Sequence, residues 1–326
     1  MIVPYALRLL CLCLASFFLV NALLGFAASI VSRAAVRVAE TMRPRNATRF
    51  LFALRLLPLG LGVSTVLGLC VPSYLWLEPV STPERVGWTC LLLAFFGAMG
   101  WSLSIARSAR AIVASAHCNR RWLTAGRGVI LPGEASQSVV VEEEAPLLAV
   151  AGVFRMRLIF SDAILRALSP EQFFVALHHE KAHRDSRDNL KRLLRLLSPD
   201  SVPFLPSFTL LDRAWTKLSE WAADDEAVQG DPRQALSLAE AILRVARMGA
   251  GPRHSSLHTS LVAADGDLSA RVDRLLRFEP LGPVPPSRTR SLAVAGGLGI
   301  AACMPILAAW PAILSSVHRL LELFLR

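Results

Sequence analysis

What this sequence has least of is cysteine in a position to do chemistry. Six cysteines occur among 326 residues, and Cys11, Cys13, Cys70, Cys90 and Cys303 fall inside strongly apolar runs, leaving only Cys118 outside them. That distribution supports neither a disulfide framework nor a thiolate metal site. Any bound metal must therefore be held by histidines and carboxylates. Acidic residues are also few, 25 against 35 lysines and arginines, for a net charge of +10. There is no internal repeat and no low-complexity tract, which removes repeat arrays and compositionally disordered segments from consideration.

Apolar residues are abundant. A hydrophobic content of 53% and a mean hydropathy of +0.46 are too high for a chain surrounded by water. Residues 9–32, 56–77, 86–106 and 291–316 form four apolar runs, each close to or above the roughly twenty helical residues that cross about 30 Å of hydrocarbon. The first run could be mistaken for a signal peptide. It exceeds an ordinary signal core, however, and no clear small-residue cleavage site precedes the basic stretch after it, so a retained helix is expected.

The basic residues account for the net charge by flanking these runs. Arg33, Arg37, Arg43, Arg45 and Arg49 lie between the first two, whereas the next connection holds Glu78, Glu84 and Arg85. Arg107, Arg110, Arg120 and Arg121 follow the third run, and Arg288 and Arg290 precede the fourth. The positive-inside rule then puts the N-terminus outside and the large polar block in the cytoplasm, consistent with an inner-membrane protein. Tyr74, Trp76 and Trp88 sit at run ends, where an interfacial belt belongs. Topology thus explains the charge, and direct nucleic-acid binding is not expected. The expected organisation is three membrane helices in residues 1–115, a cytoplasmic domain in 116–290, and a fourth membrane helix with a short tail in 291–326.

Within the cytoplasmic block, residues 128–131, 138–141, 147–153 and 157–160 read as short strands broken by Pro132, Gly133, the Glu142 to Glu144 run and Gly152. Ser161 or Asp162 can cap a short helix. Ser169-Pro170-Glu171-Gln172 reads as a capping box with proline at the first helical position, opening a helix that runs through His183. Further helices are expected over 190–197, over 210–229 up to Gly230, from Asp231-Pro232 to Gly249, and over 268–278. A Pro/Gly-rich linker, 280–286, precedes the last run.

His179-Glu180-Lys181-Ala182-His183 is an HExxH pattern. Residues four apart share a helix face, so both imidazoles can meet one zinc ion at about 2.0–2.1 Å. Glu180 can instead reach a metal-bound water and act as its base. A five-residue pattern can arise by chance on a charged helix face, so a second element is required. Glu220-Trp221-Ala222-Ala223-Asp224, on a separate predicted helix, supplies one. With Glu220 as third protein ligand, a fourth position stays open for catalysis. Asp224, one turn on, is placed to accept an imidazole N–H and fix the tautomer of a ligand histidine.

These residues resemble the BlaR/MecR-type integral-membrane zinc metallopeptidases within the gluzincin group. The resemblance takes in the Glu144 to Leu147 and Ala151 to Arg155 segments, Ser161, the Leu168 to Gln172 segment, the HExxH, the Arg187 to Leu190 segment and the Glu220 motif. It also covers the layout of three spans before the peptidase block and one after it. It implies a multi-pass α-helical membrane protein of four spans with a cytoplasmic α+β gluzincin-like domain inserted between spans three and four. It further implies zinc on His179, His183 and Glu220, Glu180 as catalytic base, and cleavage of polypeptides near the membrane. The antibiotic sensors of that group continue into an extracellular sensor domain, whereas only residues 318–326 follow the fourth run here, so β-lactam sensing is not supported. The amphipathic tail reads as a helix end or an interfacial segment.

Among the remaining residues, His254, His258 and Arg271 lie where an oxyanion stabiliser would come from, and Arg271, in Arg271-Val272-Asp273-Arg274, is the choice as a catalytic residue. His178 points about 100° away from His179 and is no co-ligand. Residues 147–153 read either as an edge strand that pairs with substrate or as an internal strand. Arg187 and Asp188 read as a local pair or a support for the zinc helix. Lys191, Arg192 and Arg195 read as a face toward anionic headgroups.

The leading functional expectation is a membrane zinc metalloendopeptidase acting on a cytoplasmic or membrane-proximal protein or peptide, in regulatory signalling such as cleavage of a transcriptional repressor or of itself. Two alternatives stand beside it. One is a quality-control protease resembling the CAAX-processing and HtpX groups, and the other is a non-catalytic membrane scaffold with structural zinc.

Overall fold

The computed structural model describes residues 4–78, 86–130, 138–143, 145–154, 156–200, 208–249, 259–260, 268–277 and 311–325. Three helices are long and apolar enough to cross a membrane: α1 (Tyr5–Glu40), α2 (Pro44–Leu77) and α3 (Trp88–Ala125). All three outrun their apolar runs. The arginine-rich stretch between the first two runs is helical except at residues 41–43, because its Ala, Val and Arg residues carry α1 onward and Pro44 at the first helical position starts α2. Near its far end α2 widens into a π-turn, Val66–Cys70, just before Pro72. Proline has no N–H to give to the preceding turn, and the local widening accommodates that loss.

The membrane helices approach closely through small residues. A Cβ on Gly97 of α3 would come 2.5 Å from the Leu14 carbonyl oxygen of α1, so glycine is required for the two backbones to touch. Gly97→Leu is expected to force them apart and to cost about 1–3 kcal/mol, the usual penalty for overpacking. The observable is a lower melting temperature in detergent, and an unchanged melt would show that the contact contributes nothing.

The polar part is a small mixed sheet with helices around it. Strands β1 (Arg127–Val129), β2 (Ser138–Val141), β3 (Leu148–Ala151) and β4 (Arg157–Ser161) are followed by α4 (Asp162–Ala167), α5 (Pro170–Asp185), α6 (Asp188–Leu197), α7 (Thr209–Val228) and α8 (Pro232–Arg247), then β5 (Thr259–Ser260) and α9 (Leu268–Leu276). The sheet order is β1-β2-β4-β3-β5, with β2 and β4 parallel and the other neighbours antiparallel. The caps lie where the sequence puts them. Ser161 Oγ accepts from the Ile164 N–H, Ser169 and Gln172 form a reciprocal capping box, and Asp231 accepts from the Arg233 N–H.

Strand alternation sorts side chains onto two covered faces. Val140, Leu148 and Phe160 face the core built by α4, α5, α8 and α9. Val139, Val141, Leu147, Ala149 and Ile159 face the other way, against Trp122 and Cys118. Those two residues are four apart on α3, so a single face of the third apolar helix backs the sheet. Cys118 therefore belongs to the extension of a membrane helix, and α3 runs ten residues past position 115 before the first strand begins. The helix α7 lies on α1 and α2, where Ala28, Ala35, Ala39 and Ala47 leave room for Leu211, Trp215 and Leu218.

Of the fourth apolar run, residues 291–310 and the linker 280–286 lie outside the described residues. Its last part begins helix α10 (Pro311–Leu325), which continues through the tail read as a helix end or an interfacial segment. Ser73 Oγ on α2 donates to the Leu314 carbonyl at 3.1 Å, which docks α10 beside α2.

Candidate metal centre

The centre starts from one well-capped helix. With its N-terminus fixed at Ser169, α5 holds His179 and His183 one turn apart on its inner face, Nε2 to Nε2 3.2 Å. Glu220 arrives from α7, its carboxylate oxygens 3.5 Å from His179 Nε2 and 3.6 Å from His183 Nε2. These three residues are the group able to hold a metal among the described residues. With bonds of about 2.0–2.1 Å, tetrahedral ligands stand about 3.3–3.4 Å apart, and the three separations bracket that value.

Each histidine is oriented from behind by an acid. Asp224 Oδ1 lies 2.9 Å from His179 Nδ1, and Asp188 Oδ2 lies 2.8 Å from His183 Nδ1. Both Nδ1 positions face carboxylates, so both Nε2 atoms are left toward Glu220. Asp188 reaches His183 because the chain reverses at Arg187, which takes left-handed φ 54° and lets α6 start immediately. The sequence reading allowed Asp188 a supporting role without assigning it a histidine. The signal was an acid directly after a two-residue break in the metal helix, with Lys191 three residues on to hold its other oxygen at 2.8 Å.

Arg271, from α9, is at the centre but is taken up by acids. Its Nε and Nη2 donate to the two Asp224 oxygens at 3.0 and 2.7 Å, and its Nη1 is 3.2 Å from Glu220 Oε2. The guanidinium thus holds two carboxylates in place. His254 and His258 lie outside the described residues. His178 turns away as expected, its Nδ1 2.9 Å from the Phe174 carbonyl oxygen.

The electrostatics suit a cation. His179, Glu180, His183, Glu220 and Asp224 are each 1% exposed or less. Burial works against a charged His183, but Glu220 and Asp188 reverse this and raise it to about 10. His179 is likewise raised, by Asp224 and Glu220 acting against burial. Burial would push Asp224 up, yet Arg271 and His179 bring it down to about 2. Glu180 is the exception, for burial dominates there and raises its carboxyl. Neither Glu180 oxygen has a hydrogen-bond partner among the described residues. A buried carboxylate without a partner is costly, and a dication with its water would supply what it lacks.

Two readings from the sequence change. Lys191, Arg192 and Arg195 do not form a lipid-facing stripe: Lys191 binds Asp188, Arg192 is 3.8 Å from Glu220, and Arg195 binds Asp212 while stacking on Trp215. Their helical spacing matches a membrane face and a protein face equally well, and only the position of α7 decides between them. The strand β3 is internal where β5 pairs with Ala149 and Val150, which answers the choice between edge and interior. At its exit, Asn189 Nδ2 donates to the Val150 and Gly152 carbonyls at 3.0 and 2.8 Å and ties the strand to the start of α6.

No protein-family model matches the chain, and no curated protein matches it.

Proposed function

We propose that this chain is an integral-membrane zinc metalloendopeptidase of the BlaR/MecR type, with four membrane spans, its N-terminus outside and its peptidase domain in the cytoplasm. The observation that carries this reading is the convergence of His179, His183 and Glu220 beside a buried Glu180 carboxylate without a hydrogen-bond partner among the described residues. A purely structural zinc site has no need of that fourth acid. A zinc ion held by the three ligands supplies a Lewis acid that acidifies water and polarises a peptide carbonyl.

The remaining work falls to the side chains. Glu180, whose carboxyl burial raises, would take a proton from the attacking water as its oxygen bonds to the peptide carbonyl carbon, and return it to the amide nitrogen as the C–N bond breaks. Asp224 and Asp188 hold the imidazoles in one tautomer, and Arg271 keeps Glu220 and Asp224 ionised and fixed. The substrate is a cytoplasmic or membrane-proximal polypeptide, a transcriptional repressor or the chain itself, and the bilayer is the second partner.

The test is zinc stoichiometry by elemental analysis on detergent-purified protein. One zinc per chain is expected, lost or greatly weakened in Glu220→Ala. Wild type without zinc would refute the reading, and zinc undiminished in Glu220→Ala would move the third ligand elsewhere. A pulldown with Glu180→Gln as substrate trap separates regulation from quality control, since misfolded membrane proteins in the trap would favour an HtpX-like role.

A further inference from the structure

Two arginines next to the second and third apolar runs, Arg107 among those read as setting topology and Arg55 not singled out in the sequence, meet at the same acid. Arg55 stands immediately before the second run and Arg107 immediately after the third. Arg55 Nη2 binds Asp200 Oδ1 at 3.0 Å and Arg107 Nη1 binds Asp200 Oδ2 at 2.6 Å. Asp200 lies just beyond the C-terminus of α6, so two membrane helices grip the end of a helix whose first residue, Asp188, orients His183.

Arg55 does more than pair. It is 4% exposed, its Nη1 donates to Ser198 Oγ at 2.9 Å, and its Nη2 reaches the Arg195 carbonyl at 3.4 Å. These contacts cap the C-terminal end of α6, where a cation is favoured by the unpaired carbonyls. The Arg55 Nε is 3.6 Å from Asp212 Oδ1 in the first turn of α7, and its guanidinium lies over the Phe208 ring at 4.2 Å, just before that helix. Arg195 holds the same Asp212 oxygen at 2.9 Å. Glu220 lies about two turns farther along α7. One side chain from a membrane helix therefore joins the end of the helix that supports His183 to the start of the helix that carries Glu220.

We propose that Arg55 is a positioning residue for the metal centre, fixing α6 against α7 so that Glu220 meets the two histidines at ligand distance, and linking the geometry of the centre to the disposition of α2 and α3. This rests on the metal-centre reading above. A helix acts as a stiff rod, so a change in the separation of α6 and α7 at Arg55 is carried to Glu220. Because Asp200 is shared with Arg107, relative movement of α2 and α3 enters the same contact.

The experiment uses full-length protein in detergent, loaded with cobalt(II) as a spectroscopic stand-in for zinc, with zinc affinity measured by chelator competition. Arg55→Gln, with wild-type helicity and elution volume, is expected to weaken zinc about tenfold, the low end for loss of support to metal ligands, and to shift the cobalt absorption bands. Arg55→Lys keeps the charge but cannot span Ser198, Asp200 and Asp212 together, and falls between. Arg45→Ala breaks an exposed α2–α7 ion pair, with side chains 62% and 59% exposed, and should leave both readouts unchanged. A folded Arg55→Gln with wild-type affinity and bands overturns the proposal. Should that variant fail to fold, Asp200→Asn releases both arginines while sparing the Ser198 contact, and unchanged bands there overturn it equally. Wild type that binds neither metal would instead refute the metallopeptidase reading itself.

Discussion

Glu180→Gln is expected to lower peptide cleavage by about 10²–10⁴-fold, the range for loss of a general base, while zinc remains at wild-type stoichiometry. Glu180 is not among the three converging ligands, so its amide variant leaves His179, His183 and Glu220 intact. The substitution nearly preserves volume, and the protein should fold as before. What disappears is a buried carboxylate that burial raises and that has no hydrogen-bond partner among the described residues. Cleavage of a peptide or of the chain itself, followed in parallel with zinc content, is the measurement. Undiminished proteolysis in the variant would remove Glu180 from the mechanism, and loss of zinc would make it a ligand.

Arg271→Met should destabilise the metal-free protein by about 3–5 kcal/mol, because it strands two acids in a dry interior. Arg271 is 3% exposed and all three of its guanidinium nitrogens face Asp224 or Glu220. In a protein of this size such a loss corresponds to a melting temperature lower by about 4–7 °C, measured with chelator present so that metal binding does not contribute. Adding Asp224→Asn to the variant should recover part of the loss, since the two residues share one interaction and their effects are not additive. A drop of only a degree or two would mean that water reaches the site and screens the acids. The oxyanion role first considered for Arg271 is harder to reconcile with a guanidinium already engaged at every nitrogen.

Much of the local structure was legible because it is decided by residues near in sequence. The capping box at Ser169, the prolines at 170 and 232, and the glycines at 230 and 249 each mark a helix boundary within a residue or two of its place. The alternation in Ser138–Val141 and Leu148–Ala151 was harder to read, since both faces of the sheet are covered and every residue there is buried. Helix ends beyond the apolar runs were missed for a different reason. Hydropathy reports where lipid is, and a helix that continues into water or onto protein carries no such mark.

The sequence by itself determined that His179 and His183 lie on one face, because positions four apart on a helix are neighbours whatever surrounds them. It also determined that the chain carries helices long and apolar enough to cross a membrane, because length and hydropathy are local properties of the runs. Tertiary structure alone decided which acid stands behind which histidine, and that the basic face of α6 turns inward to Glu220 and Asp212. It alone brought Arg55 and Arg107 together on Asp200. Most of these pairings join residues far apart in sequence, His179 with Asp224 and Arg55 with Asp200 among them, and their charges could have been met as well by water or headgroups. Only the packing of α7 into the alanine-lined groove of α1 and α2 removes that choice.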